Sequence, residues 1–349
     1  MKKLLSTAAI AATAVLLAGC SAPAATSAAP APKPVEVTDL AGLIEAAKAE
    51  GALRVYGQIP EAEMLELTSG FEEEYGIKVE ALRLGGNTLS SRFDSETEAG
   101  TASGEALLTV DVEFLAKAKA AGAVQGFSET GVRDLLDGFP EEAVLDEFDA
   151  PIAQVVEVGF IYNTSKVEAG EVPSSWSDLN DPRWKGKYCS VDPAASVNTA
   201  HFFWLWREKA GEGALEDFGA NVGRWYPNIV AMNEAVAVGE CELGLNSAKF
   251  FVESAKATGA QVEFAEAPTR VPPITSVAVA TAAEHPHAAR LFLHYVLSED
   301  ANSVLSGPTK GATGPWDPAR LPVGDDVPAP DEFQKVRDST PELTRLLGL

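Results

Sequence analysis

The sequence predicts a two-lobed α/β protein whose strands alternate with helices along the chain. Three observations support this fold. From residue 39 onward, apolar residues repeat alternately at the spacing of helices and of strands. The roughly 310 residues from that point exceed what one hydrophobic core usually supports, which favours two domains. Two runs rich in β-branched residues, 154–167 and 272–283, are long enough to cross between the lobes.

The N-terminal residues have the pattern of an exported lipoprotein. Two lysines precede an apolar run from Leu4 to Leu17, and Leu-Ala-Gly-Cys follows, ending at Cys20. We therefore predict a lipoprotein signal peptide with a lipobox at residues 1–20, lipidation of Cys20, and a flexible tether at 21–38 rich in Ala, Pro, Ser and Thr. An uncleaved anchor helix is the alternative. The expected location is extracytoplasmic, with the lipid holding the protein to the outer face of the cell membrane.

Composition and motifs exclude several classes of function. The 27 basic and 51 acidic residues give a net charge of −24, which disfavours nucleic acid as a partner. No G-x-S-x-G, G-x-x-x-x-G-K-[ST] or H-E-x-x-H motif occurs in the sequence. We expect neither an enzyme nor a bound cofactor or metal. Besides Cys20, the chain holds Cys189 and Cys241, which we expect to form a disulfide, with two buried free thiols as the alternative.

The first half of the chain predicts alternating elements with recognisable ends. Helices are indicated by an acidic or asparagine start, apolar residues at helical spacing and a closing glycine. They are predicted at 39–51, at 60–76 after Pro60, at 87–100 with Asn87 as cap, and at 113–122. Short runs of branched residues predict strands at 52–58, 77–86 and 106–114. Repeated strand, helix, strand units imply parallel pairing with helices on both faces.

The second half repeats this order. A strand is predicted at 185–193, a helix at 196–211, and a helix followed by a strand within 232–247. The aromatic residues of 196–211 recur at helical spacing, which is typical of core packing. The two crossing runs then divide the chain into a discontinuous lobe 1, at 39–154 and 272–349, and lobe 2 at 155–271.

Several phrases resemble a known family. They include "VGFIYNTSKV" (158–167), "VPSSWSDLNDPRWKGK" (172–187), "VAVGECELGLNS" (236–247) and "EHPHAARLFLHYVLSED" (284–300). These stretches resemble the extracellular solute-binding proteins of ABC importers, specifically the ferric-iron-type group. The resemblance implies a periplasmic-binding-protein-like clamshell with two mixed or parallel sheets joined by hinge strands. It also implies a ligand held between the lobes, a permease and an ATPase subunit as partners, and a monomer.

The resemblance departs from the family at its metal ligands. Iron-binding members use two adjacent tyrosines after the strand that here ends at Ser247, but this chain has Ala248 and Lys249, or Lys249 and Phe250. Asp111 takes the place of the family's glutamate. Ferric iron requires several anionic oxygens, so we expect a small anionic solute instead: a phosphonate, a phosphate ester or a carboxylate. A ferric-iron-binding protein and a lipoprotein ligand sensor are the alternatives.

The same resemblance suggests which residues contact the ligand. They belong to the helix start after Asp192-Pro193, to the neighbouring strand end, to the hinge and to lobe 1. The expected ligand-binding residues are Ser196, Val197, Asn198, Asn246, Ser247, Lys249, Tyr162, Gln58, Thr88 and Asp111. Five of these residues have a structural alternative: helix capping for Ser196, Asn198 and Asp111, hinge packing for Tyr162, and solvation for Lys249.

Overall fold

The computed structural model describes residues 38–85, 88–101, 103–267, 271–307, 310–321 and 332–349. The predicted signal peptide, the lipobox with Cys20, the tether through residue 37 and the Asn87 cap lie outside these residues. Among the described helices, none combines the length and the apolar character needed to span a bilayer.

The first sheet has eight described strands, six of them in the order β13-β6-β12-β3-β1-β2. The strands are β1 (Ala52–Gly57), β2 (Lys78–Arg83), β3 (Ala106–Thr109), β4 (Val124–Gln125), β5 (Val144–Leu145), β6 (Ala150–Val156), β12 (Ile274–Ala280) and β13 (Ala312–Thr313). β1 pairs with β2 and β3 in parallel, whereas β12 runs antiparallel to β3 and β6. The sheet is therefore mixed.

The second sheet has five described strands in the order β11-β7-β10-β8-β9. They are β7 (Val158–Asn163), β8 (Tyr188–Val191), β9 (Arg224–Tyr226), β10 (Leu243–Ala248) and β11 (Val262–Glu266). β8 pairs in parallel with β9 and β10, and β7 pairs antiparallel with β10 and β11. Both sheets thus combine a parallel part with antiparallel strands that lead to or from the other sheet, which confirms the predicted mixed architecture.

The helices occupy most of the predicted positions. They are α1 (Leu40–Glu50), α2 (Glu61–Tyr75), α3 (Thr88–Ala99), α4 (Val112–Ala120), α5 (Trp176–Leu179), α6 (Val197–Ala210), α7 (Glu212–Asn221), α8 (Ile229–Ala237), α9 (Lys249–Ala257), α10 (Pro286–Leu297), α11 (Glu299–Asn302) and α12 (Glu332–Leu346). Local signals explain the ends of α1. The Asp39 carboxylate accepts a hydrogen bond from Gly42 N at 2.8 Å, and Gly51 ends the helix with a φ of 73°.

Each sheet has its own core. Around the first sheet, α1, α2 and α10 bury Leu43, Phe71 and Phe292 against the strands. Around the second, α6 buries Phe203 and Trp206 completely, so its aromatic residues pack as predicted. A buried aromatic side chain removes a large apolar area from water, which makes these clusters the main source of stability for each lobe.

The first crossing of the chain between the two sheets is a single residue. β6 ends at Val156 and β7 begins at Val158, so Glu157 joins one sheet to the other.

The lobe boundaries stay a prediction, but the last helix contacts both cores. Phe333 of α12 lies beside Phe148 in a core cluster of the first sheet, whereas Leu343 lies in the core of the second. Residues 332–349, which we assigned to lobe 1, therefore link the two lobes.

A disulfide bond connects β8 with the segment that precedes β10. Cys189 in β8 bonds to Cys241, which comes just before β10, and their Cα atoms are 6.0 Å apart. Both residues are buried among the side chains of α8 and its neighbouring strands. The bond closes a loop with a sequence separation of 52 residues, and such a loop restricts the unfolded chain considerably.

We predict that replacing both cysteines by alanine lowers the free energy of unfolding by about 2–4 kcal/mol, because the unfolded chain regains the freedom of that loop. Guanidinium unfolding without reductant would measure the change. Wild-type protein unfolded with excess reductant is the control, and its midpoint should shift in the same direction. An unchanged midpoint in the double variant would refute a stabilising role for the bond.

Candidate functional site

A cavity of about 640 Å³ lies between the two sheets. It is large enough for a small organic molecule. The first sheet supplies Gln58 after β1, Arg83 at the end of β2 and Val110 after β3. From the second come Val191 at the end of β8 and Asn246 near the end of β10. The carboxyl ends of the parallel strands of both sheets therefore face one cavity, where open α/β sheets bind ligands.

Helix N-termini form much of the cavity wall on the second sheet. α6, α8 and α9 follow β8, β9 and β10, and residues at the start of each helix line the cavity. Ser196 accepts a hydrogen bond from Thr199 N at 3.1 Å and caps α6, and Asn228 accepts one from Ala231 N at 2.9 Å and caps α8. The first N–H groups of a helix and its dipole both favour negative charge. The electrostatics of these helix starts are thus compatible with a negatively charged group at this wall.

Asn246 reaches the cavity because β10 is irregular. The pairing of β10 with β7 shifts register between Gly244 and Ser247, and Asn246 adopts a φ of 57°. Asparagine tolerates this left-handed conformation better than other residues with a side chain except aspartate. Ser247 is completely buried instead and does not belong to the described cavity lining.

The first sheet contributes an oriented amide and one carboxylate. The Gln58 side-chain oxygen accepts hydrogen bonds from Thr109 Oγ1 at 2.5 Å and from Val110 N at 2.9 Å, which fixes the amide plane. Glu63, in the first turn of α2, lines the cavity with a half-buried side chain. Burial raises the pKa of the Glu63 carboxyl, although Lys310 and Gln154 act in the opposite direction.

The charges and rings of the cavity are unevenly distributed. Within the described lining, Arg83 and Lys310 are the cationic side chains and Glu63 is the carboxylate. The described lining contains no tyrosine, histidine or cysteine. Phe250 and Phe251, at the start of α9, add two aromatic rings whose centroids are 4.1 Å apart. The cavity thus has a cationic balance and an apolar wall.

The structure brings together part of the predicted set. Gln58, Ser196, Asn198 and Asn246 line the cavity. The other predicted residues are outside its described lining, and they are Thr88, Asp111, Tyr162, Val197, Ser247 and Lys249. Asp111 caps α4 by accepting a hydrogen bond from Phe114 N at 2.9 Å, and Tyr162 is buried in the core of the second sheet.

Lys249 lies at the joint between the sheets. Its ammonium is 2.7 Å from one carboxylate oxygen of Glu157, and Arg320 is 2.5 Å from the other oxygen. The Lys249 side chain is 23% exposed and that of Glu157 12%, so the pair is largely shielded from water. Lys249 thus lies outside the described cavity lining, with its charge paired to Glu157. Its predicted contact with a ligand stays a prediction.

Several residues that line the cavity were not predicted from the sequence. Asn228 stands directly before an apolar helical run, so its capping position gave a usable local signal. Arg83, Lys310, Glu63, Phe250 and Phe251 gave no such signal, since their positions depend on how the two lobes face each other.

One group outside the cavity has the composition of a metal site. Glu105, Glu284 and His285 place one ligand atom each within 4.8 Å of one another. The Glu105 carboxylate already accepts hydrogen bonds from His285 N at 2.7 Å and from Arg54 N at 2.8 Å. These bonds hold β1 against the start of α10, which gives the group a structural explanation.

The two sheets, the crossing strands and the cavity between them define a clamshell of the periplasmic-binding-protein type. Similar solved structures share this fold. Iron-bound HitA from Pseudomonas aeruginosa is 21% identical with a TM-score of 0.63, covering 85% of this chain and 99% of that one. AfuA from Actinobacillus pleuropneumoniae, with exogenous fructose-6-phosphate bound, is 19% identical with a TM-score of 0.57, covering 84% and 97%.

Sequence comparison identifies the family. Residues 42–303 match the bacterial extracellular solute-binding proteins, and the chain belongs to that family. A 207-residue stretch is 27% identical to an uncharacterised protein of Haemophilus influenzae strain ATCC 51907. That match covers 57% of this chain and 59% of the relative, so the chain spans about three fifths of the relative's length.

We predict that Lys249→Ala lowers the free energy of unfolding by about 1–3 kcal/mol, because Glu157 loses one partner in a largely buried pair. Affinity for any ligand of the cavity should change less than twofold. Denaturant unfolding and calorimetric titration would measure the two effects. Lys78→Ala is the control, since that side chain is 84% exposed and contributes little to stability. A tenfold loss of affinity with unchanged stability would return Lys249 to the binding site.

Proposed function

We propose that this protein is the substrate-binding component of an ABC importer and captures a small anionic solute between its lobes. The observation that carries the proposal is the convergence of the α6, α8 and α9 N-termini on a cavity that also contains Arg83 and Lys310. Family membership supports solute binding outside the cytoplasm. A phosphonate, a phosphate ester or a carboxylate has the charge that this wall favours.

Specific side chains would hold the anion. Ser196, Asn198 and Asn228 lie at the helix starts and supply polar groups beside the first backbone N–H groups. Asn246 adds an amide from the end of β10. A charge-assisted hydrogen bond contributes about 1.5–3 kcal/mol, a substantial part of the roughly 8 kcal/mol that micromolar binding needs.

Ferric iron is the second candidate, because iron-bound HitA shares this fold. Fe³⁺ prefers several anionic oxygen ligands. Within the described lining, Glu63 is the anionic side chain and no phenolate or imidazole accompanies it. The available donors therefore favour an organic anion over the metal.

The expected partners follow from the importer proposal. Binding would proceed without chemical conversion, since ligand contacts from both lobes would favour a closed clamshell that a permease and its ATPase recognise. Lipidation of Cys20 would hold the monomeric protein at the outer face of the membrane. A ligand sensor would use the same closure, and loss of solute uptake in cells lacking the protein would distinguish an importer from a sensor.

A thermal-shift screen of the purified full chain tests the proposal. We expect a phosphonate, phosphate ester or carboxylate to raise the melting temperature, because a ligand at 100 times its dissociation constant adds about 2.7 kcal/mol of stability. Fe³⁺ with and without carbonate is screened in parallel. A shift with Fe³⁺ alone would overturn the anionic assignment.

We further predict that Lys310→Met weakens binding of the anion found in that screen about tenfold, because the cavity loses one of its cations. Lys310 forms a loose ion pair at 3.6 Å with the exposed Glu66, so stability should change little. Calorimetric titration measures the affinity, and Lys78→Met controls for the overall loss of charge. Equal effects of the two substitutions would argue against a local role for Lys310.

A further inference from the structure

One carboxylate oxygen in the cavity wall has no hydrogen-bond partner within the described part of the chain. Oε2 of Glu63 is buried, yet nothing described donates to it. Native proteins rarely leave a buried acceptor unpaired, because the acceptor has lost its water without gaining a replacement. Since Glu63 lines the cavity, a bound ligand can supply the missing donor.

Gln154 and Lys310 both act on the Glu63 carboxyl, and each also has another partner. The Gln154 amide nitrogen donates to the Leu305 carbonyl at 2.6 Å. The Lys310 ammonium lies 3.6 Å from Glu66. Burial raises the pKa of the Glu63 carboxyl and outweighs the charge of Lys310 and a side-chain hydrogen bond with Gln154, which both lower it. The raised pKa agrees with a carboxyl group in which one buried oxygen has no donor among the described residues.

The opposite wall is suited to the carbon skeleton of a ligand. Phe250 and Phe251 are both half-buried and line the cavity from the second sheet. Their ring faces carry partial negative charge and attract polarised C–H groups, such as those of a sugar or polyol. The cavity therefore offers three different environments: helix N-termini, aromatic rings and a carboxylate acceptor.

We infer that Glu63 is a specificity-determining residue that accepts a hydrogen bond from a hydroxyl group of the ligand, so the solute is a hydroxylated anion such as a sugar phosphate or polyol phosphate. This inference rests on the proposed function, because the anionic end of the ligand is held by the helix N-termini of the second sheet. The hydroxylated end then reaches Glu63 on the first sheet and contacts both lobes at once.

The charges of the cavity favour a hydroxyl over an ammonium group as the donor. Arg83 and Lys310 share the lining with Glu63, and Lys310 is close enough to lower the pKa of its carboxyl. A ligand ammonium would meet these cations, whereas a neutral hydroxyl donates its hydrogen without that repulsion. A hydroxyl also keeps the total ligand charge negative, which the helix N-termini require.

Calorimetric titration of the full chain with fructose 6-phosphate and with inorganic phosphate tests the inference. We expect wild-type protein to bind the sugar phosphate more tightly. Glu63→Met removes the acceptor and should weaken fructose 6-phosphate at least tenfold, while phosphate affinity stays within twofold or increases. Glu63→Gln retains a neutral acceptor and should give an intermediate loss. Glu61→Gln is the matched control, because Glu61 is exposed in the same turn and outside the described lining.

The outcomes separate this inference from the proposed function. If neither compound binds the wild-type protein but another anion of the thermal-shift screen does, only the hydroxylated-anion inference is overturned. If no anion of that screen binds, the proposed function is overturned as well. If phosphate binds and Glu63→Met leaves the sugar phosphate unaffected, or weakens both compounds equally, only the role of Glu63 is overturned. Thermal unfolding without ligand adds a second readout. Loss of an unpaired acceptor should leave the melting temperature unchanged or raise it, whereas a lower one would indicate a structural role.

Discussion

The site depends on one constraint of helix geometry: the first four N–H groups of a helix have no partner within it. In the second lobe, parallel strands β8, β9 and β10 all end at one edge, so the helices that follow them begin there too. Ser196 and Asn228 satisfy one N–H group each and leave others available. The polarity of the cavity is consequently a property of the backbone, and side chains adjust its selectivity.

A second feature is how the lobes are joined. Glu157 is the single residue between β6 and β7, where the chain crosses from the first sheet to the second. Its carboxylate forms ion pairs with Lys249, at the start of α9, and with Arg320, which follows β13. Its backbone carbonyl also accepts from Lys249 N at 2.8 Å. Because Phe250 and Phe251 follow directly, the joint and the aromatic wall belong to one continuous segment. A change in the angle between the lobes would therefore move the aromatic residues that line the cavity.

The net charge of the chain and the charge of the described cavity lining have opposite signs. The chain carries −24 overall, yet the described cavity lining has two cationic side chains and one carboxylate. Surface charges are screened over about 8–10 Å at physiological salt, so distant acids have little influence inside the cavity. We therefore expect ligand preference to follow from the few groups that share the cavity and not from the net charge of the chain.

The sequence by itself determined helices α1–α4 and α6 and strands β1–β3, β8 and β10, because caps such as Asp39 and Ser196 and the apolar periods act over a few residues. It also placed Gln58, Ser196, Asn198 and Asn246 at ends of elements that do line the cavity. Only the tertiary structure decided that Lys249 pairs with Glu157 and that Glu63, Arg83 and Lys310 meet in one cavity. The physical reason is that local hydrogen bonds and periodicity fix each element, whereas the partner of a charged side chain depends on how distant elements pack.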